Sequence, residues 1–265
     1  MLRDQGTNLL LNYYFGPIVN AAKGIANQVN GALQSFASNV LVPARPQIVQ
    51  SYARHEYQRT FRLMISTSKL SCLVFCMMSL PVCFQINLIL KLWLGDSIPD
   101  YTRSFIIIML ITNTWGSLIA PISAVIHATG QMKYYQIFSS ISNLFSVPLA
   151  LLFLILKKDP NIVFCALFLT MVSNQLVGLI SLKKLTNFSL KYYYSKLLLP
   201  LSIVIFMSTL VISILHMLIN NQVLNFVVDV LASVLLISCL AYFICLDNRE
   251  KQFVNSTLIR LFRLR

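Results

Sequence analysis

The sequence predicts an all-α fold, a polytopic membrane helix bundle of about eight transmembrane helices, and three observations carry that expectation. The first is composition. Of 265 residues, 57% are hydrophobic and only 11% charged, with a mean hydropathy of +0.73. A soluble domain carries about 25% charged residues because its surface meets water, so much of this surface faces something else. The second is run length: apolar stretches recur at roughly the 20 residues that a helix needs to cross about 30 Å of hydrocarbon. The third is the placement of basic residues, which alternates from one connection to the next.

In chain order, residues 7–22 and 24–42 are moderately apolar but carry many Asn and Gln side chains. Two polar-lined helices packed against other protein fit this pattern, with the outward turn near Lys23-Gly24. The Phe15-Gly16-Pro17 step interrupts the first of them. Residues 63–93 form a longer run, expected to tilt or to kink at Pro81. Five clear spans follow, at 104–127, 134–156, 161–182, 197–219 and 223–246. Residues 1–185 thus hold about six spans, 186–246 two more, and 247–265 a basic tail. In that tail Phe253, Leu258, Ile259, Leu261 and Phe262 lie among basic residues, the pattern of an amphipathic helix on a membrane surface.

Charge sets the orientation. The connections holding Arg45, Arg54, Arg59 and Arg62, then Lys133, then Lys183, Lys184, Lys191 and Lys196, and the tail with Arg249, Lys251, Arg260, Arg263 and Arg265, total fourteen Lys and Arg. The alternate connections hold four, Lys91, Arg103, Lys157 and Lys158. The positive-inside rule places the first set, and with it both termini, in the cytoplasm. Basic loops against anionic headgroups account for the net charge of +13 without nucleic acid. Met1-Leu2-Arg3-Asp4 leads into Gln and Asn rather than an apolar core, so no cleavable signal peptide is expected.

Catalysis is disfavoured. The eight acidic residues fall almost entirely in connections, and no HExxH, GxSxG, phosphate-loop or paired-carboxylate pattern occurs. The six cysteines lie in proposed helices without CxxC spacing and read as small packing residues. No metal or other cofactor is expected.

What remains is polar matter at membrane depth, where ionisable groups cost about 2.5–3.5 kcal/mol and usually face a cavity or a partner. Lys23 either snorkels to the outer headgroups or faces a central cavity and meets an anionic ligand. Arg45, between Pro43 and Pro46, is held at the inner mouth. Lys69 is expected to snorkel, and Asp229 to reach headgroups from the last span, with a role in transport as the alternative. Asn20, Asn27, Gln28, Asn30, Gln34 and Asn39 cluster; interhelical hydrogen bonds explain some of them, and the wall of a water-filled, carbohydrate-compatible cavity explains the set. Asn113 and the Asn174-Gln175 pair read as helix–helix contacts.

The run from Gly16 to Asn30, GPIVNAAKGIANQVN, resembles the middle of bacterial polysaccharide flippases. So do Pro46-Gln47-Ile48-Val49-Gln50-Ser51-Tyr52-Ala53, Leu92-Trp93-Leu94-Gly95, and Ala128-Thr129-Gly130-Gln131-Met132-Lys133-Tyr134-Tyr135. In order and spacing these blocks look like the O-antigen and capsule repeat-unit flippases of the multidrug/oligosaccharidyl-lipid/polysaccharide exporter superfamily. The resemblance is most specific over residues 6–135. It implies two lobes around a central cavity, export of an undecaprenyl-pyrophosphate-linked oligosaccharide by alternating access, and an inner-membrane location. It also implies substrate contacts at Lys23, Arg45, Asn20, Asn27, Gln28 and Asn30.

The chain begins where the second lobe would begin, so a first lobe of about six helices is expected from an upstream reading frame or from a separate partner. A half transporter alone is not expected to transport, because alternating access rocks one lobe against the other. A multidrug/cation antiporter of the same superfamily would want carboxylates deep in the lobe. A membrane glycosyltransferase or polysaccharide polymerase would want a large outward loop with acids or arginines. A non-transporting assembly subunit, bound beside a polymerase, would want neither.

Overall fold

The computed structural model describes residues 2–219 and 221–263, and among them every regular element is helical. Six helical spans are long and apolar enough to cross a membrane: Tyr57–Phe84, Thr102–Ala128, Lys133–Leu156, Asn161–Thr186, Leu190–Leu218 and Gln222–Cys245. By length and composition this is a multi-pass membrane protein. Its outward side chains fit lipid: along one helix Phe138, Ile141, Leu144, Phe145, Ile155 and Leu156 are all exposed. Patches of that extent are not left to water.

The chain forms two compact units, divided between Leu190 and Lys191. The first opens with α1 (Leu2–Ala53), whose helical dihedrals fail at one residue, Gly16 (φ 81°, ψ −178°). Side chains with a Cβ are essentially excluded from that backbone region. In a straight helix residues 7 and 23 would stand about 24 Å apart, yet Lys23 Nζ donates to Thr7 Oγ1. The two arms of α1, residues 2–15 and 17–53, therefore fold back on each other.

This corrects the two-helix expectation in one respect. The reversal lies at Gly16, not at Lys23-Gly24, and the chain is helical straight through both of those residues. The reason is local. Gly16 is followed by Pro17, whose missing N–H and fixed φ suit the first position of a new helix. Gly24 has no such neighbour and stays in the α conformation.

The long arm runs about 55 Å and is absent from the six apolar spans because of a polar stripe described below. It turns over at Arg54-His55-Glu56, where His55 takes a positive φ of 60° and the amides of Arg54, His55 and Glu56 close on Gln50, Tyr52 and Ser51 carbonyls at 3.1, 2.9 and 3.0 Å. It then returns as α2 (Tyr57–Phe84) and α3 (Ile86–Leu94). A buried Ser51–Thr60 hydroxyl pair at 2.8 Å ties the hairpin. The expected bend near Pro81 appears as a helix break at Gln85, whose N–H donates to the Pro81 carbonyl. Lys69, expected to snorkel, is instead 2% exposed.

A further span is split into α4 (Thr102–Gly116) and α5 (Ile119–Ala128); one unbroken helix was expected there. The step at Gly116-Ser117-Leu118 sits where Met171 presses on the chain: a Cβ on Gly116 would lie 2.8 Å from Met171 Cε. α6 (Lys133–Leu156) and α7 (Asn161–Thr186) complete the unit. Its core joins Leu11, Val19, Ala22 and Ala26 of α1 to Phe75, Leu90, Phe105 and Phe164. The Phe105 and Phe164 rings lie 4.3 Å apart. Alanines at 22 and 26 let the neighbouring helices approach the long arm closely, the usual device where lipid offers no hydrophobic drive for helix association.

The second unit holds α8 (Leu190–Tyr193), α9 (Leu199–Leu218), α10 (Gln222–Leu240) and α11 (Asn248–Arg263), with π-helical turns at Tyr194–Leu198 and Ala241–Cys245. α9 and α10 form an antiparallel hairpin. Asn221 caps α10 by accepting from Val223 N and Leu224 N at 3.1 and 3.3 Å. Asn225 Nδ2 caps the end of α9 by donating to the His216 and Ile219 carbonyls at 3.0 and 3.2 Å. Asp229, expected among headgroups, is fully buried in this hairpin. The tail is helical, but Asn220 lies outside the described residues. So do the side chains of Phe253, Leu258, Ile259, Arg260, Leu261, Phe262 and Arg263, and so does Arg265.

The reversal yields a prediction. A Cβ at Gly16 would meet nothing within 4 Å, so Gly16→Ala carries only backbone strain. It is expected to destabilise the protein by roughly 1–3 kcal/mol. Gly24→Ala, also into open space, should be neutral or slightly stabilising, since alanine is the better helix former. Unfolding of both variants in detergent micelles checks the contrast.

Candidate functional site

The long arm of α1 carries two neighbouring stripes. Val19, Ala22, Ala26, Leu33 and Ala37 are buried against the rest of the unit. One residue further on, Lys23, Asn27, Asn30 and Gln34 repeat at spacings of four, three and four, which puts them on one helical face. These four side chains line a cleft of about 440 Å³. Arg3 and Asp4 close one end of it, Thr112 and Asn113 of α4 add polar groups, and Met109, Phe164, Leu167 and Met171 form an apolar wall.

Lys23 is the buried cation of the cleft. It is 3% exposed, and its ammonium donates to Thr7 Oγ1 and, at 3.4 Å, to the Asp4 carbonyl. Both partners come from the short arm, so the reversal at Gly16 builds the lysine's socket. Two of three ammonium donors are engaged by neutral oxygens, which orient the charge without cancelling it. Asp4 is the one carboxylate in the lining, and it pairs with Arg3 at 3.4 Å from an exposed position. With Arg3 and Lys23 against Asp4, the cleft is cationic by one charge.

Amide hydrogen bonds fix its walls. Asn113 Nδ2 donates to Asn30 Oδ1 and to the Met109 carbonyl, both at 2.8 Å, which ties α4 to α1. Asn143 Oδ1 of α6 accepts from Arg3 Nη1 at 3.5 Å and from Asn174 Nδ2 of α7 at 3.2 Å. Gln34 and Asn113 also line a second, smaller cavity of about 90 Å³ with Ser38, Ser71 and Ser117, beside the break between α4 and α5.

Of the residues singled out from the sequence, Lys23, Asn27 and Asn30 are thus brought together. Asn20 lies one turn before Lys23, half-buried and outside the lining. Gln28 projects from the opposite side of the arm and is exposed. Arg45 is exposed about 33 Å further along the helix. Asn113 and Asn174 make the helix–helix contacts expected of them. Sequence reasoning passed over Arg3, Asp4 and Thr7, the groups of the short arm. The signal that could have found them is the Gly16-Pro17 step, which turns the first residues back toward Lys23.

No protein-family model, no curated protein and no solved structure matches this chain.

The Asn30–Asn113 bond joins the cleft's two principal helices and should show as energetic coupling. In a double-mutant cycle of Asn30→Ala and Asn113→Ala, unfolding in mixed micelles is expected to give an interaction energy near 0.6 kcal/mol, the membrane average for such bonds. A strictly additive pair would mean that the bond contributes nothing.

Proposed function

We propose that this chain is the second lobe of a lipid-linked oligosaccharide flippase, exporting undecaprenyl-pyrophosphate-linked units for surface polysaccharide synthesis. It acts as a transporter, not an enzyme, in the plasma (inner) membrane. The observation that carries this reading is the buried Lys23 in a cleft with an amide stripe on one side and an apolar wall on the other. A pyrophosphate needs a fixed cation where water is excluded, because an uncompensated charge is costly to desolvate. Sugar hydroxyls suit Asn27, Asn30 and Gln34, which both donate and accept. A polyprenyl chain suits Met109, Leu167 and Met171. The resemblance of residues 16–30 and of the later blocks to polysaccharide flippases supports the same cargo.

In this reading the protein crosses the membrane about eight times, six of the passes being the apolar spans and the long arm of α1 a further one. Both termini are cytoplasmic. Lys23 and Arg45 are separated along α1 by about 33 Å, close to the hydrocarbon thickness of about 30 Å. They would meet the headgroup on opposite sides, in opposite conformations of a two-lobe transporter. A multidrug/cation antiporter is less favoured, because Asp4, the cleft's carboxylate, is exposed and bonded to Arg3.

Two experiments test this. Purified protein in micelles should bind a short-chain polyprenyl pyrophosphate more tightly than the matching uncharged prenol. Lys23→Gln should weaken that binding roughly tenfold or more, the worth of a hydrogen bond to a charged group, and Lys23→Arg should retain most of it. Equal affinity for the charged and uncharged lipids would refute the reading. In intact cells, a cysteine placed at Asp96 should react with an impermeant maleimide added outside, and one placed at Arg54 should not.

A further inference from the structure

The second unit holds an acid–base couple that has no part in the cleft. Between Lys196 and Asp247 the sequence carries one His, His216, one Asp, Asp229, and no Glu, Lys or Arg. Thirteen residues apart in the chain, the two meet in space, His216 Nδ1 lying 3.0 Å from Asp229 Oδ2. The α9–α10 turn sets that contact. Asn225 ties α10 to the His216 carbonyl at 3.0 Å, and Asn221 fixes the start of α10.

Exposure divides the couple. The Asp229 side chain is sealed at 0%, whereas that of His216 is 33% exposed, in the last turn of α9. The imidazole therefore stands between the carboxyl and the surface at the turn. Asn225, Asp229 and Ser233 recur every four residues on the buried face of α10, so the polar seam continues past the couple. On the α9 side Ser208 Oγ is buried with no hydrogen-bond partner, two turns along from His216.

A hairpin of this kind can be fastened by amides or hydroxyls alone. An isolated carboxylate in hydrocarbon is costly, and such groups mark ion or proton pathways when they occur. Histidine is the side chain whose charge changes near neutral pH, and it serves as a proton shuttle elsewhere. We infer that the His216–Asp229 couple is a proton-binding site of the second unit, loaded through the α9–α10 turn. Starting from a carboxylate and a neutral imidazole, His216 takes a proton from hydronium, which leaves water, and becomes the imidazolium. It passes the proton across 3.0 Å to Asp229 Oδ2, which leaves a neutral acid beside a neutral imidazole. Release runs the same steps backwards, so one proton is bound and released per cycle and no other reactant is needed. The remaining titratable side chains of α9, α10 and their π-helical extensions are Tyr194, Lys196, Cys239, Tyr242 and Cys245. All lie toward the other end of the hairpin. The inference does not depend on what the first unit's cleft binds.

Infrared difference spectroscopy of the full chain in phosphatidylcholine vesicles, between about pH 5 and 8 where histidine-linked protonation falls, tests it. A protonated-carboxyl band should grow on acidification and be missing from Asp229→Asn. His216→Gln, which keeps Asp229 but removes its relay, should move the midpoint of that band. Asp229→Glu keeps an acid in place and should shift the band's frequency rather than abolish it, which preserves the test if Asp229→Asn does not fold. Identical pH-difference spectra for the wild type and Asp229→Asn would overturn the assignment, and so would a band that is unmoved in both Asp229→Glu and His216→Gln. Either result would leave the couple as a fixed fastening of the hairpin.

Discussion

Hydrocarbon offers no hydrogen bonds, so polar groups that this chain buries at membrane depth turn to partners within the protein, Ser208 Oγ being an exception. That constraint explains why every described element is helical, since a helix satisfies its backbone within one segment. It also explains where the side-chain polarity goes. The six apolar spans show lipid their Leu, Ile, Val and Phe side chains, while Asn113, Asn143, Asn174, Asn225 and Asp229 turn inward to partners. A soluble protein of this size would scatter such groups over its surface.

The same constraint separates α1 from the other long helices. Its polar stripe is ill suited to lipid, and its alanine stripe packs it against the core of the first unit, where both stripes have uses. The alanines allow close packing against α2 and α4, and the amides find Asn113 or the cleft. The reversal at Gly16 then supplies what one straight helix could not, a second strand of chain from which Thr7 and Asp4 hold the Lys23 ammonium. Charge, amides and an apolar wall meet there because two arms of one helix and two further helices, α4 and α7, converge on one place.

The two units treat ionisable groups in different ways. In the first, Lys23 is held by neutral oxygens, so its charge remains directed at whatever occupies the cleft. In the second, Asp229 is matched with His216, a partner that can itself take or give a proton. One arrangement suits a ligand of fixed negative charge, and the other a proton.

Helical class, membrane setting and the approximate limits of the spans were legible in the sequence, because length and apolarity of a run are local properties that lipid reads directly. The cluster of amides from Asn20 to Asn39 was legible as a candidate wall, but not which of them share the face of Lys23. The reversal point was not legible: two glycines, Gly16 and Gly24, stood near it, and only the folded backbone shows which one leaves the helical conformation. The break within 102–128 was hidden too; Met171 of another helix lies against Gly116 there. Arg3, Asp4 and Thr7 were marked only indirectly, by the Gly16-Pro17 step, and His216 and Asp229 gave no sign of belonging to each other. The physical reason is common to all of these: a side chain's partner across a helix interface is chosen by tertiary packing, at separations of 13 to 140 residues, and local pattern carries no record of it.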